Sequence, residues 1–322
     1  MVGLSRVIVD DRSSNELHKE VLENYVASVF KDTSIVIYHN PKQLGLIHAR
    51  SVGIKLARGP VVMVMDIHFE VQPHWLEGLL WEIHKDRKTL ASPYLDWMKP
   101  GPNGTWTYEH GSSSCKTFWT WDFGVGFEHA SVAARAKIKD KTAAVLSPAN
   151  IGTFAIDRSF FFEIGGYDED MFGWGGENVD LALRTWLFGG RVVNVPCSHM
   201  AHLEKQGYRD YRSAWYWNTM ANFRRVVDMW GDNYTDVFFA FLPDVKKVGP
   251  QNITKRLHLK SKAVHNLHWV LVNVYPELMA TVPNMNSYAY GGLVNTATKN
   301  CLDRGGPFVQ YGCHYMMNTQ VK

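Results

Sequence analysis

The chain has 322 residues, long enough to bury a sizeable core as one large domain or two medium ones, and its 46% apolar content with 12 Trp, 14 Tyr and 16 Phe excludes a disordered polypeptide. Its formal net charge of +3, with no Lys/Arg run, gives no nucleic-acid footprint, although a mildly basic surface suits an anionic substrate such as a nucleotide. No apolar run approaches the ~20 residues of a membrane span and no basic-then-apolar leader opens the sequence, so the polypeptide as written is expected to be soluble.

Strand-like and helix-like segments alternate over the first hundred residues. Val7 to Val9 is a short apolar run ending at Asp10-Asp11, and Leu17, Val21, Tyr25 and Val29 then recur at the i+4 spacing of one helix face. Ser34 to Tyr38 predicts a second strand. Leu46 to Ala57 predicts a helix stopped by Gly59-Pro60, and Val61 to Met65 a fully apolar third strand. Pro73 opens another helix with an apolar stripe of Leu76, Leu79, Leu80 and Ile83. Such alternation implies an α/β fold with a parallel sheet and a ligand crevice beyond the carboxyl ends of its strands, where Asp10-Asp11 and Asp66-Ile67-His68 both fall.

Lys99 to Ala144 lacks periodicity and reads as a long excursion over the sheet. Ile156 to Ile164 predicts a short ordered segment, Val179 to Phe188 a helix closed by Gly189-Gly190, Arg191 to Val195 a strand and Ser213 to Trp230 a helix. Beyond residue 245 the composition turns polar and basic, as in a linker, and 288–322 is a small turn-rich tail. Three Asn-X-Thr sequons start at Asn103, Asn233 and Asn252. The four cysteines (Cys115, Cys197, Cys301, Cys313) allow at most two bridges and show no metal-site spacing.

Asp66 and His68 offer a carboxylate and an imidazole on one side of an extended chain, a donor pair that suits a borderline divalent ion such as manganese. The bland alternative is a capping Asp beside a surface His. The run Gly173-Trp174-Gly175-Gly176-Glu177-Asn178 sets three glycines around a Trp, letting backbone approach a ligand closely, with Glu177 and Asn178 at a predicted helix start. A tight turn with capping side chains would need the same residues. Two histidines, His199 and His202, follow the late strand; either would complete a metal site, and the residues alone leave that choice open. GxSxG, HExxH and GxxxxGK[ST] do not occur, and Cys313-His314 lies far from the crevice.

GLIHARSVGIKLARGPVVMVMDIHFEVQPHWLEGLL, the stretch from Asn150 to Lys205 containing GWGGEN, HNLHWVLVNVYPEL, and Asn300-Cys301-Leu302-Asp303 with Cys313-His314 resemble, in order, segments of the polypeptide N-acetylgalactosaminyltransferases, which start mucin-type O-glycosylation. The resemblance spans nearly the whole chain. It implies a GT-A nucleotide-sugar transferase fold with a Rossmann-like mixed sheet over 1–245, a linker and closing helix over 246–287, and the beginning of a ricin-type β-trefoil lectin over 288–322. It also implies a retaining transfer of GalNAc from UDP-GalNAc to Ser/Thr of a polypeptide or glycopeptide, with Mn2+, in the Golgi lumen.

Carried over by position, the resemblance makes Asp66, His68 and His202 the metal ligands. Asp11 falls where the uracil is held. Arg50, Asn150, Gly152, Lys205 and Tyr208 fall at the nucleotide-sugar, and Trp174, Glu177 and Asn178 at the reacting centre. Departures from the pattern accompany it. The family's T-F-H-N-E-like first strand, its membrane anchor and the cysteine that pairs with Cys197 are not found. Gln43-Leu44 replaces Arg-Glu, Ile151 adds bulk beside the sugar, and Lys205 replaces Arg, losing a bidentate fork. These departures motivate two alternatives: a catalytically silent relative that binds nucleotide or a protein partner, or a transferase for another UDP-sugar.

Overall fold

The β-branched runs Arg6–Asp10 (β1) and Ile35–His39 (β2) pair in parallel, Arg6 opposite Ile35 and Asp10 opposite His39, with Glu16–Val29 (α1) between them in sequence. This is seen in a computed structural model that describes residues 4–14, 16–31, 33–111, 115–129, 143–203, 215–282, 295–298, 300–303 and 309–311. The i+4 stripe that marks α1 as a helix is largely solvent-facing: Val21 is 65% and Tyr25 55% exposed. Its burial would have required a partner surface, which spacing within one helix cannot reveal.

The third strand, Val61–Val64 (β3), does not join that pair. It is an edge of a seven-stranded mixed sheet, next to Phe154–Asp157 (β10), followed by Thr89–Pro100 (β5), Arg191–Leu203 (β11) and Phe69–Val71 (β4). β10 runs antiparallel to both β3 and β5, while β5 and β11 are parallel. The single parallel sheet that alternation alone implies is therefore corrected to a mixed one, in keeping with the GT-A expectation. The cause is β10, whose Phe154, Ala155 and Ile156 are completely buried and arrive from about ninety residues along the chain, beyond the reach of local periodicity. Helix Leu46–Leu56 (α2) packs against both β1 and β3 and carries the two-stranded unit onto the main body.

Side-chain alternation divides the core between the two faces of the sheet. Ala91, Ala155 and Val193 face Leu79 and Ile83 of Trp75–Lys85 (α3), two side chains whose burial contributes roughly 1.5–3 kcal/mol each. Their neighbours Leu90, Ile156 and Val192 face the opposite way, into the large core shared with Arg158–Glu163 (α4), Glu177–Leu187 (α5) and Tyr216–Trp230 (α6). The expected excursion from Lys99 to Ala144 contains strands Trp106–Glu109 (β6), Cys115–Trp119 (β7) and Val125–His129 (β8). β6 extends the main sheet at β5, Val145–Leu146 (β9) adds a seventh strand antiparallel to β11, and β7 and β8 form a hairpin whose Trp119 is 1% exposed. Strands this short leave little periodicity to read.

The polar stretch expected as a linker also differs. Val245, Leu259, Leu267, Val270, Leu271 and Leu278 are buried in the large core, on short helices between Pro243 and Met279. Exposed Lys246, Lys247, Lys255, Lys260 and Lys262 give the stretch its basic character, while well-placed aliphatics do the packing. Of the tail, the described part includes an antiparallel pair, Cys301–Asp303 (β12) with Val309–Tyr311 (β13).

Candidate active site and metal centre

Asp66 follows β3 and His68 precedes β4, with Ile67 and His68 in a turn. The expected extended geometry for Asp66-x-His68 is thus replaced by a reversal of the chain between two strands of one sheet. That reversal sets β4 against β11, Phe69 opposite His202, and the Leu203 N–H donates to the His68 carbonyl at 3.1 Å. The ligand atoms of Asp66, His68 and His202 lie within 4.8 Å of one another, and the two Nε2 atoms of the histidines approach to 2.8 Å. Two imidazole nitrogens aimed at one point beside a carboxylate form a donor set that a shared divalent cation fits.

The choice between His199 and His202 is made by a register shift. Val195 lies opposite Pro93 but His199 opposite Tyr94, so Pro196, Cys197 and Ser198 bulge out of the ladder. After the bulge, residues three apart point to opposite faces, and only His202 reaches Asp66 and His68.

Arg50, on α2, joins this cluster to the first turn of α5. Its Nη2 donates to Asp66 Oδ1 at 2.8 Å, and its Nη1 stands 3.9 Å from Glu177 Oε1. Burial raises the Asp66 pKa, but the Arg50 guanidinium more than offsets this and leaves it below its ordinary value. At Glu177, 1% exposed, burial prevails over Arg50 and the carboxyl is pushed up. Tyr167 stands in the same electrostatic neighbourhood, its hydroxyl pushed up to about 12 by burial. The sequence offered no signal for Tyr167 beyond the preceding glycine pair.

Gly152 closes the group. Its φ is +88°, and a Cβ there would come 3.0 Å from Arg50 Nη1 and 3.1 Å from Asn178 Oδ1. Asn150 fixes this loop, accepting from the Gly152 N–H at 2.8 Å and donating to the Asn178 carbonyl at 2.7 Å. Arg50 Nη1, Glu177 Oε1 and Asn178 Oδ1 are buried and make no hydrogen bond within the protein. Three orphaned polar atoms around one glycine cost free energy unless a polar ligand engages them.

The glycine run is used differently from the close ligand approach expected of it. A Cβ at Gly173 would collide with Trp215, at Gly175 with Thr219, and at Gly176 would crowd Phe223, so these glycines admit α6 and the residue before it. Trp174, half-buried, is tied through its carbonyl to Thr219 at 3.0 Å. Gly173 also meets Gly45, where φ is +92° and a Cβ would lie 2.4 Å from Gly173 Cα. Asp11 shapes that second loop: its carboxylate accepts from Asn40 Nδ2 at 2.8 Å and from the Gly45 N–H at 2.6 Å. Lys205 and Tyr208 lie outside the described residues. Cys197 is a free, exposed thiol, and Asn103, Asn233 and Asn252 are exposed. No helix among the described residues is long and apolar enough to cross a membrane.

Known proteins resemble this chain in sequence and in fold. The family model described as glycosyl transferase family 2 matches residues 6–147, and that described as N-terminal domain of galactosyltransferase matches 136–206. The chain is 37% identical over 285 residues to an "Inactive polypeptide N-acetylgalactosaminyltransferase-like protein 5" of Macaca fascicularis, covering 86% of this chain and 61% of that protein. It is 32% identical over 332 residues to a "Probable N-acetylgalactosaminyltransferase 7" of Caenorhabditis elegans, covering 98% of this chain and 54% of that one. The chain thus spans little more than half the length of these relatives. A crystal structure of GalNAc-T7 with UDP, GalNAc and Mn2+ superposes with a TM-score of 0.77 at 27% identity, covering 98% of this chain and 60% of that one.

Proposed function

We propose that this chain, which belongs to the polypeptide N-acetylgalactosaminyltransferase family, transfers GalNAc from UDP-GalNAc to Ser or Thr hydroxyls of a polypeptide with retention of configuration and with Mn2+ as cofactor. The observation that carries the reading is the adjacency of two features: the Asp66, His68 and His202 cluster, and the orphaned atoms of Arg50, Glu177 and Asn178 beside it. The first would hold a divalent cation that offsets the charge of a diphosphate, and the second suits a sugar's hydroxyl and amide groups.

In transfer, the bond from the sugar's anomeric carbon to the diphosphate oxygen breaks and a bond to the acceptor oxygen forms on the same face, the acceptor proton passing to a phosphate oxygen of the departing UDP. Bound Mn2+ supplies Lewis-acid stabilisation of the charge developing on that leaving group. Arg50 adds a fixed positive charge at the same edge, held there by Asp66 and Glu177. Glu177 and Asn178 hold the sugar through their unsatisfied oxygens, and the open backbone at Gly152 gives the sugar room to approach, a contribution of proximity rather than of acid catalysis. Trp174 packs beside the leaving group. Asp11 acts at the uracil by shaping the loop at 40–45. Lys205 and Tyr208 are assigned to the nucleotide-sugar, residues 288–322 to the start of a lectin module, and the Golgi lumen is the expected compartment.

The test is transfer of labelled GalNAc from UDP-GalNAc to a Ser/Thr-rich peptide, with Mn2+ and with a chelator. Chelator-sensitive transfer is expected, and Asp66→Ala should reduce it by about three orders of magnitude, the scale of losing a principal electrostatic stabiliser. Undiminished transfer by that variant would remove the metal assignment. A second reading, a silent relative that binds UDP without turnover, is favoured by the higher identity to a relative named as inactive. UDP binding without transfer to any acceptor would select it. Competition with UDP-GlcNAc and UDP-glucose addresses the remaining alternative, a different donor sugar read at Ile151.

A further inference from the structure

His199, left unused by the site above, belongs to a second cluster. Its Nδ1 lies 2.8 Å from Asp96 Oδ2, and His110 Nδ1 lies 3.8 Å from the same oxygen. The ligand atoms of Asp96, His110 and His199 fall within 4.8 Å of one another. We propose that these three residues form a second divalent-cation site, of the zinc class, on the face of the sheet opposite the first.

The opposition of faces follows from strand register. In β11, His199 and His202 lie three positions apart on a regularly paired stretch, an odd step, so they point to opposite sides. Asp96 lies opposite Ala201, an even step from His199, and β6 pairs Tyr108 with Met98, an even step from Asp96, so that Tyr108 and His110 share the Asp96 side. Three strands therefore deliver one ligand group to one point.

The ligands are held as a metal site requires. Asp96 is completely buried; its Oδ1 accepts from the Gly111 N–H and its Oδ2 from the Tyr108 hydroxyl, so the carboxylate is oriented by partners that are not themselves ligands. The imidazoles stand edge-on to aromatic rings, His199 to Tyr94 at 5.9 Å and His110 to Tyr108 at 4.8 Å. The His110 side chain is 75% and that of His199 26% exposed, leaving a solvent-side position for a fourth ligand such as water. Nitrogen-rich sets of this kind bind zinc above manganese. The first cluster has the same protein donors, but there the oxygens of a bound diphosphate would complete the sphere and shift the balance toward a harder ion. At the second site a cation would replace direct carboxylate–imidazole contacts and clamp β6 onto β5 and β11.

The test removes the first site and asks whether a second remains. The full chain carrying Asp66→Ala and His68→Ala, stripped of metal, is titrated with Co2+ as a spectroscopic probe for zinc and then with Zn2+ itself. One equivalent of Co2+ with visible d–d absorption, displaced by Zn2+, is expected. Adding His110→Ala, an exposed position whose loss leaves the buried Asp96 network in place, should weaken that binding at least about tenfold, since even residues behind the ligands cost that much. Absence of saturable Co2+ binding, or affinity indifferent to His110→Ala, would overturn the proposal. Should the double variant not fold, the unaltered chain is compared with His110→Ala alone: a fall from two bound Zn2+ to one supports the second site, and equal stoichiometry refutes it.

Discussion

Asp180 and Arg184 on α5 are buried against each other, with Arg184 Nη2 2.7 Å from Asp180 Oδ2 and Trp230 Nε1 donating to the other carboxylate oxygen at 3.0 Å. Val21 and Tyr25 on α1, by contrast, present apolar side chains to solvent. The first region is closed and opens with Glu177 and Asn178 of the candidate site; the second hangs on α2 and the Asp11 loop. Below Glu177 and Asn178 the rest of α5 is buried, which suits the sugar-positioning role proposed for them, since such groups need fixing to a fraction of an ångström. The β1–β2 unit, proposed to meet the nucleotide, has far less buried surface behind it.

Breaking the closed region should have the largest effect on stability. Arg184→Ala leaves Asp180 charged and buried without its partner, and a loss of about 3–5 kcal/mol in unfolding free energy, measured by denaturant titration, is expected. A loss below 1 kcal/mol would show that solvent reaches this interior. Gly45→Ala acts at the seam between the regions, forcing a Cβ against Gly173 at a φ only glycine adopts comfortably. It should cost about 1–3 kcal/mol and weaken UDP binding measured by calorimetry. Wild-type UDP affinity in that variant would mean the loop at 40–45 does not touch the nucleotide.

Smaller effects belong to the open region. His39 sits between Asp10 Oδ2 at 2.9 Å and Glu23 Oε1 at 2.8 Å, and its pKa is raised above 6.5, first by the hydrogen bond to Asp10. A group with a raised folded-state pKa stabilises fully below its unfolded value and loses that contribution as pH rises through the folded one. Amide exchange in β2 should therefore accelerate, after correction for the intrinsic rate, as pH rises above 6.5, and His39→Gln should flatten the dependence. Val21→Ser should change stability by less than about 0.5 kcal/mol, as for other exposed positions. A larger loss would place a partner on the α1 stripe.

The order of the helices and strands around the site, the GWGGEN run and the Asp66-x-His68 pair were legible in the chain itself, because they depend on local periodicity, glycine punctuation and donor chemistry. The burial of 245–279 and the exposure of α1 were not. Composition reports how many apolar residues a segment has, while burial depends on what lies across from them. Residue type alone marked both His199 and His202 as possible ligands. Which metal cluster each joins was decided in three dimensions, by a bulge at Pro196 to Ser198 that sets the parity of β11 and by strands β4, β5 and β6 arriving from distant parts of the chain. Side-chain direction in a sheet is fixed by register, and register is a property of paired strands rather than of one.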